Sequence, residues 1–123
     1  MGDIIIKNYK ITKFQILRND EFLCNCYIAN SFWKRFKGLM LAPPLEEGYG
    51  LLLPSTNSIH MFFMKYELDI IFLDKEYKVI DIIHSMKRRR VSKIYSNVKN
   101  VIELESGYLK KFDLNIGDIL KEI

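Results

Sequence analysis

The stretch NSIHMFFMKYELDIIFLD, residues 57–74, sets His60, two methionines and several charged residues in an otherwise apolar run. Its two apolar portions, about residues 59–63 and 69–74, have the length and residue types of β-strands. The five residues MKYEL between them are within the range of a hairpin loop. The stretch therefore predicts two core strands, and the polar side chains within it are the first candidates for a site.

Strand-like segments also occupy most of the chain on either side of this stretch. Each is an apolar run bounded by turn residues such as Gly, Pro, Asn and Asp. The segments are DIIIK (3–7), FQIL (14–17), EFLCNCYIA (21–29), LLLP (51–54), KVIDIIHS (78–85), VKNVIELES (98–106) and the end of NIGDILKEI (115–123). Strands that recur about every ten residues predict a mainly β fold (β-rich α+β), either barrel-like or built of two sheets.

One or two short helices are predicted between the strands. In SFWKRFKGLM, the apolar residues Phe32, Phe36 and Leu39 recur at helical spacing. Ser31 precedes them, and its hydroxyl can cap the free amide groups of a first helical turn. A further helical turn is predicted near Ser106. The segment between the first helix and the next strand, APPLEEGYG (42–50), is predicted to be a loop because it contains two prolines and two glycines.

Size and composition limit the class of protein. The 123 residues fit a single domain, 1–123, and the 49% hydrophobic and 28% charged fractions exclude an intrinsically disordered chain. No segment reaches the ~18 apolar residues of a membrane helix and no secretion signal is evident, so we expect no membrane span and a cytoplasmic location. Cys24 and Cys26 fall on one face of a strand, and we expect them to be buried, reduced thiols.

The positive charge is concentrated in one segment. The chain carries 19 basic and 15 acidic residues, a net charge of +4. Five of the basic residues lie close together in MKRRRVSK: Lys87, Arg88, Arg89, Arg90 and Lys93. Without these five, the acidic residues would exceed the basic ones by one. The segment is interpreted either as a solvated loop or as a contact for a polyanion such as nucleic acid, although no nucleic-acid-binding motif flanks it.

Catalytic and metal chemistry have few candidates. The only histidines are His60 and His84, and no local motif joins either of them to a nucleophile. Imidazole with the thioethers of Met61 and Met64 would suit copper(I), but His60 and Met61 point to opposite faces of a strand. We therefore predict no metal site and no cofactor, and we interpret His84 as a structural residue.

Four motifs between residues 35 and 118 resemble the domain-of-unknown-function family 192. They are RFKGLM (Arg35, Gly38, Leu39, Met40), SIHMFFMKYELDIIFLD (His60, Met64, Asp69, Phe72, Asp74), VIELESG (Glu103, Leu104, Gly107) and LNIGDIL (Gly117, Asp118). The resemblance implies a compact, β-rich, barrel-like fold with short helices. It implies no established activity, ligand or catalytic residue. Two features depart from the family pattern: Met61 stands where many members have threonine, and the basic segment stands where many have proline.

The resemblance suggests that Arg35, His60 and Asp69 come together, with Met64 beside them. Such a cluster would form charge-assisted hydrogen bonds, and it would either bind a small ligand or join the helix to the sheet as a structural unit. Three functions follow from the sequence. The favoured one is a non-catalytic domain that binds a small molecule or a partner protein through this cluster. The alternatives are a polyanion contact through residues 87–93 and, as an enzyme, catalysis with His60 as general acid or base oriented by Asp69.

Overall fold

The computed structural model describes residues 8–40 and 42–123, and the strand predicted at residues 3–7 lies outside these ranges. Seven strands and two short helical segments make up the described chain. The strands are β1 (Lys10–Ile16), β2 (Glu21–Ile28), β3 (Tyr49–Pro54), β4 (Leu68–Leu73), β5 (Val79–Met86), β6 (Asn100–Glu105) and β7 (Leu120–Glu122). The helix α1 (Phe32–Lys37) follows β2, and a 3-10 turn (Tyr108–Lys111) follows β6. The prediction of a mainly β fold with short helices is confirmed.

All seven strands belong to one curled sheet, in the order β5-β4-β6-β3-β2-β1-β7. Neighbouring strands are antiparallel except for β2 and β3, which run parallel. The two edge strands approach each other at one end of the sheet, where the N–H of Val79 donates to the Asp118 carbonyl at 2.7 Å. The N–H of Leu120 likewise donates to the Tyr77 carbonyl at 2.9 Å. The sheet is therefore a half-barrel, the first of the two predicted architectures.

Both faces of the central strands are buried, so alternation along a strand divides the core into two clusters. On β4, Ile71 and Leu73 pack into a cluster that also contains Val79 and Leu120 from the two edge strands. We call this side the inner face. The alternating residues of the same strand, with Ile70 as an example, pack into a second cluster beneath the loops, and we call this side the outer face.

The predicted hairpin of residues 59–63 and 69–74 is wrong in its first half. Residues 59–63 form no strand, and only His60 makes an isolated bridge, to Val91. The left-handed backbone at Phe63, with φ of 61°, is incompatible with an extended strand at that position. The second half is correct within a residue at each end, because β4 spans Leu68–Leu73, and it pairs with β5 and β6 instead.

The predicted helix is confirmed with its cap. The Ser31 hydroxyl oxygen accepts a hydrogen bond from the N–H of Lys34 at 3.1 Å, and the helix ends at Gly38, where φ is 51°. None of its residues is buried, so its aromatic side chains stand at the surface. The cysteine prediction also agrees with the structure, because Cys24 and Cys26 are free, fully buried and 3.6 Å apart at their Sγ atoms.

Candidate functional site

A cavity of about 310 Å³ lies between α1, the loop that follows β3, and the outer face of β6. Three of the four side chains expected in the cluster line it: Arg35, His60 and Met64. The acidic residue that joins them is Glu103 of β6, not Asp69. The structure therefore brings a cation, an imidazole and a carboxyl group to one cavity, but with a different acid from the expected one.

Glu103 is a buried acid in the middle of the sheet. It pairs with Leu51 of β3 on one side and with Ile70 of β4 on the other, and only 4% of it is exposed. Burial disfavours the charged form and raises the pKa of Glu103 to about 8. Its Oε1 atom is buried and has no hydrogen-bond partner within the described residues. Buried polar atoms in folded proteins are nearly always paired, so this oxygen marks an unmet hydrogen-bonding requirement next to the cavity that Glu103 lines.

The backbone of Gly38 approaches the carboxyl of Glu103. A Cβ atom at position 38 would stand 3.4 Å from Oε1 and 3.7 Å from Oε2. The positive φ of Gly38 ends α1 and lets the chain turn across the carboxyl. Residues other than glycine rarely adopt this backbone conformation. The RFKGLM motif therefore provides both the helix end and the close approach to Glu103.

Arg35 supplies a positive charge to the cavity, which Lys37 also lines. It is half-buried, in the last turn of α1. Among the described residues, no carboxylate lies within 4.0 Å of its guanidinium group and no hydrogen bond ties that group down. A guanidinium group with free donors is well suited to bind a carboxylate or phosphate oxygen.

His60 is held in place by the backbone and by two aromatic rings. Its Nδ1 atom accepts a hydrogen bond from the N–H of Phe62 at 3.3 Å, so a neutral imidazole carries its proton on Nε2. The ring lies 6.0 Å from that of Phe36 and 5.6 Å from that of Phe62, measured between centroids. His60 thus presents a donor nitrogen within an aromatic wall.

Asp69 lies away from this cavity because it points to the inner face of the sheet. It pairs with Leu104, whereas its neighbour Ile70 pairs with Glu103, and adjacent residues of a strand face opposite sides. Its Oδ1 accepts from the N–H of Ser85 at 2.8 Å and its Oδ2 from the N–H of Leu109 at 3.0 Å. The expectation that Asp69 contacts Arg35 and His60 is wrong, and so is the arrangement in which Asp69 orients His60.

Met64 and the basic segment lie next to each other. Met64 is buried in the outer-face core and lines the cavity, and its carbonyl oxygen accepts a hydrogen bond from Nε of Arg88 at 2.9 Å. The side chains of residues 87–90 are exposed. Lys93 is exposed too, and its Nζ atom lies 4.8 Å from the centroid of the Tyr95 ring. Arg88 and Arg89 therefore lie beside the site, and none of the five basic residues lines its cavity.

Residues 8–40 and 42–123 contain no group of three or more His, Cys, Asp or Glu side chains placed to hold a metal ion. Within the same residues, no helix is long and apolar enough to cross a membrane.

Glu103 belongs to the VIELESG motif of the family resemblance, but the sequence analysis did not assign it to the cluster with Arg35 and His60. Its signal was an acid flanked by apolar residues within VIELE, a run that reads as a strand buried on both faces. Such an acid either lies exposed where a strand ends or is a buried functional group within the strand. Only the register with β3 and β4 distinguishes the two positions. Register is not readable from one sequence, so the sequence alone does not show that Glu103 faces the cavity and Asp69 the opposite side.

Comparisons with known proteins place the chain among related sequences. The family model DUF192, described as Uncharacterized ACR, matches residues 15–121. A UPF0127 protein of Thermococcus sibiricus is 40% identical over 98 residues, which cover 74% of this chain and 61% of that protein. This chain spans 61% to 63% of the length of three such Thermococcus proteins.

Two crystal structures share the fold. One is a Sinorhizobium meliloti protein named as a candidate transcription regulator, with a TM-score of 0.81 and 18% identity, covering 93% of this chain and 95% of that chain. The other is a Novosphingobium aromaticivorans protein of unknown function, with a TM-score of 0.80 and 18% identity, covering 94% of this chain and 88% of that chain. At this identity the likeness concerns the fold alone.

Proposed function

Because the chain belongs to the domain-of-unknown-function family 192, we infer its role from its own site. We propose that it is a small, non-catalytic domain that binds a small molecule in the cavity over Glu103. The cavity volume of about 310 Å³ is at the lower end of the range found for small-molecule sites.

The observation that carries the proposal is the buried, unpaired Oε1 atom of Glu103. A buried acceptor without a partner costs about 1–3 kcal/mol, and a ligand N–H or O–H group that reached this atom by displacing the side chains around it would remove that cost. A carboxyl with a pKa of about 8 can accept a hydrogen bond from a neutral donor, or ionise when the ligand brings an ammonium group. The part of the ligand at Glu103 is therefore an amine or a similar donor.

The other side chains of the cavity define the rest of the ligand. Arg35 offers an unpaired guanidinium group, which suits a carboxylate. The rings of Phe36 and His60 form an apolar wall, against which a hydrocarbon or aromatic body packs. A small zwitterion with an apolar body, such as an aromatic amino acid, satisfies all three requirements.

Two features support binding over catalysis. His60 has its Nδ1 occupied by a backbone N–H, and within the described residues no carboxylate lies within 4.0 Å of the ring to orient it as an acid or base. Glu103 is held within the sheet, where it can serve as a fixed recognition group.

The test is a thermal-shift titration with L-phenylalanine, L-tyrosine and L-tryptophan. Two half-ligands accompany them: 2-phenylethylamine, which lacks the carboxylate, and 3-phenylpropionate, which lacks the amine. A ligand of the native state raises the melting temperature with concentration, by the equivalent of about 2.7 kcal/mol at one hundred times its Kd. Glu103→Gln is expected to abolish the response to the amine, and Arg35→Ala the response to the carboxylate.

Glu76→Gln serves as the control, because Glu76 is an exposed acid in the turn before β5. It should leave every response unchanged. If no compound shifts the melting temperature at millimolar concentration, or if Glu103→Gln responds like the wild type, the proposed ligand class is wrong.

A further inference from the structure

Exposed aromatic rings and exposed cations form one continuous surface beside the cavity. We call it the aromatic-basic face. It comprises the rings of Phe32, Trp33, Phe36, Phe62 and Phe63 and the cations Lys87, Arg88, Arg89 and Arg90. Its members come from α1, from the loop after β3 and from the loop after β5, so the fold assembles them from three separate parts of the chain.

The rings follow one another at contact distances. The Trp33 and Phe36 rings are 5.9 Å apart, and Phe36 is 6.0 Å from His60. His60 is in turn 5.6 Å from Phe62. Such offset ring contacts hold the side chains of α1 against those of the neighbouring loop.

The cations adjoin the last of these rings. Phe62, Phe63, Arg88 and Arg89 line one shallow pocket of about 350 Å³ together with Met64. The arrangement is fixed by two hydrogen bonds. Nε of Arg88 donates to the Met64 carbonyl at 2.9 Å, and the N–H of Arg89 donates to the Met61 carbonyl at 3.0 Å. The loop after β5, which carries the cations, is therefore hydrogen-bonded to the loop after β3, which carries Phe62 and Phe63.

The exposed apolar area on this face is large. Phe32 is 76% exposed, Phe63 69% and Trp33 63%. The aliphatic side chains of Val91 and Ile94, in the same loop as the cations, are 58% and 77% exposed. Scattered single apolar residues are normal at a protein surface, but the linked rings of α1 and of the loop after β3 form a group, which indicates an interaction site.

The charge of the face indicates the nature of its partner. Three segments build it, residues 31–40, 57–66 and 84–94, and together they carry nine of the 19 Lys and Arg residues of the chain and none of the 15 Asp and Glu residues. Ion pairs among the described residues are made by Arg18 and Lys111, which lie outside these segments. The complementary partner is therefore anionic as well as apolar.

We propose that the aromatic-basic face docks on an anionic lipid bilayer. Phe and Trp side chains partition into the interfacial region, and clustered Lys and Arg side chains are attracted to anionic headgroups. A nucleic acid would also attract the cations and stack on the rings, but it offers nothing to Val91 and Ile94. Aliphatic side chains beside the cations favour the bilayer because acyl chains accommodate them.

Trp33 provides a direct measurement, since it is the only tryptophan of the chain and lies within the face. The full chain is titrated with vesicles of phosphatidylcholine containing 30% phosphatidylglycerol, with pure phosphatidylcholine vesicles, and with a single-stranded oligonucleotide. Sedimentation gives the bound fraction, and tryptophan emission reports insertion. We expect binding and a blue shift with the anionic vesicles, and neither with pure phosphatidylcholine.

Two triple variants test the role of the cations. Replacing Lys87, Arg89 and Arg90 by Ala should weaken vesicle binding about a hundredfold, because each basic residue near an anionic surface contributes about fivefold. The matched control replaces Lys75, Lys110 and Lys121, three exposed lysines outside the face, by Ala. It should weaken binding much less. Phe63→Ala should weaken binding without altering the melting temperature, since its ring is largely exposed.

The outcomes separate the possible partners. Absence of binding to anionic vesicles overturns the proposal, and so does equal weakening by the two triple variants. Binding to the oligonucleotide with no blue shift on vesicles also overturns it, and assigns the face to nucleic acid. A blue shift lost in the first triple variant and kept in the control supports it. Glu103 and the residues that line its cavity are unchanged in all of these variants. A negative result with vesicles therefore does not contradict the small-molecule proposal, which the thermal-shift titration tests separately.

Discussion

Gly38 lies so close to Glu103 that a Cβ atom at position 38 would stand 3.4 Å from the buried, unpaired Oε1. The contact joins the end of α1 to the centre of the sheet. It also means that the space over the carboxyl is bounded by backbone, which cannot move away as a flexible side chain would.

Replacing Gly38 by Ala is therefore expected to destabilise the protein by about 1–3 kcal/mol, because its positive φ is strained for any residue with a Cβ atom. The added methyl group would lie in van der Waals contact with the carboxyl. Gly48→Ala is the matched control, since its φ is 83° and nothing lies within 4 Å of an added Cβ. Chemical denaturation measures both. Equal losses of stability would mean that backbone strain alone is responsible and that the contact with Glu103 has no effect.

Glu103→Gln should change how stability depends on pH. The folded protein raises the pKa of Glu103 from 4.5 to about 8, so between these values the folded state holds a proton that the unfolded state has released. The contribution of this proton to stability is present below pH 4.5 and is lost as the pH rises through 8. Gln carries no such proton. Relative to the wild type, Glu103→Gln should therefore gain up to about 4 kcal/mol between pH 5 and pH 9.

Urea denaturation of the wild type and of Glu103→Gln at these two pH values measures the gain. Glu76→Gln should follow the wild-type pH dependence, because this acid is exposed. If the curves of Glu103→Gln and of the wild type run parallel from pH 5 to pH 9, Glu103 is not protonated in the folded state at neutral pH.

The strands and the capped helix could be predicted from the sequence because they depend on local signals. Alternation of apolar residues placed β2 and β5 within a residue or two, and Ser31 with Gly38 marked the ends of α1. The failure at residues 59–63 was also local in origin. The run is apolar enough for a strand, but Phe63 adopts a left-handed backbone conformation. Phenylalanine is not a residue type that signals a positive φ in a sequence.

The site was harder to predict because it depends on register. A shift of one residue moves a side chain to the other face of a sheet, so the choice between Asp69 and Glu103 required the pairing of β4 with β6. Arg35 and His60 were predicted from the motifs RFKGLM and SIHMFFMKYELDIIFLD, and because both lie outside the sheet strands, their place beside the cavity does not depend on register. The aromatic-basic face was missed in its aromatic half, since exposure cannot be read from the spacing of apolar residues.

The two cysteines should react slowly in the native protein. Burial raises the pKa of Cys26 well above its ordinary value, and the hydrogen bond with Cys24 acts in the same direction. The thiolate is the reactive form of Cys26, and both sulfur atoms are fully buried, so both thiols should resist Ellman's reagent at pH 8 and react at once in denaturant. A thiol that reacts within seconds under native conditions would show that one sulfur atom is accessible.

Asp69 is expected to be structural, and Asp69→Asn tests this. Each of its two carboxylate oxygens accepts a different backbone N–H, from Ser85 and from Leu109, and an amide side chain can replace only one of them. The other N–H would face an NH₂ group, at a cost of about 1–3 kcal/mol.

Asp74→Asn is the control, because a single oxygen of Asp74 accepts both the N–H of Glu76 at 2.8 Å and that of Lys78 at 2.9 Å, so asparagine preserves both bonds. Thermal unfolding should show a clear loss for Asp69→Asn and little change for Asp74→Asn. Since Asp69 faces away from the cavity, any ligand response of the wild type should persist in Asp69→Asn. Loss of that response in a folded Asp69→Asn protein would instead show that Asp69 contributes to ligand binding together with His60.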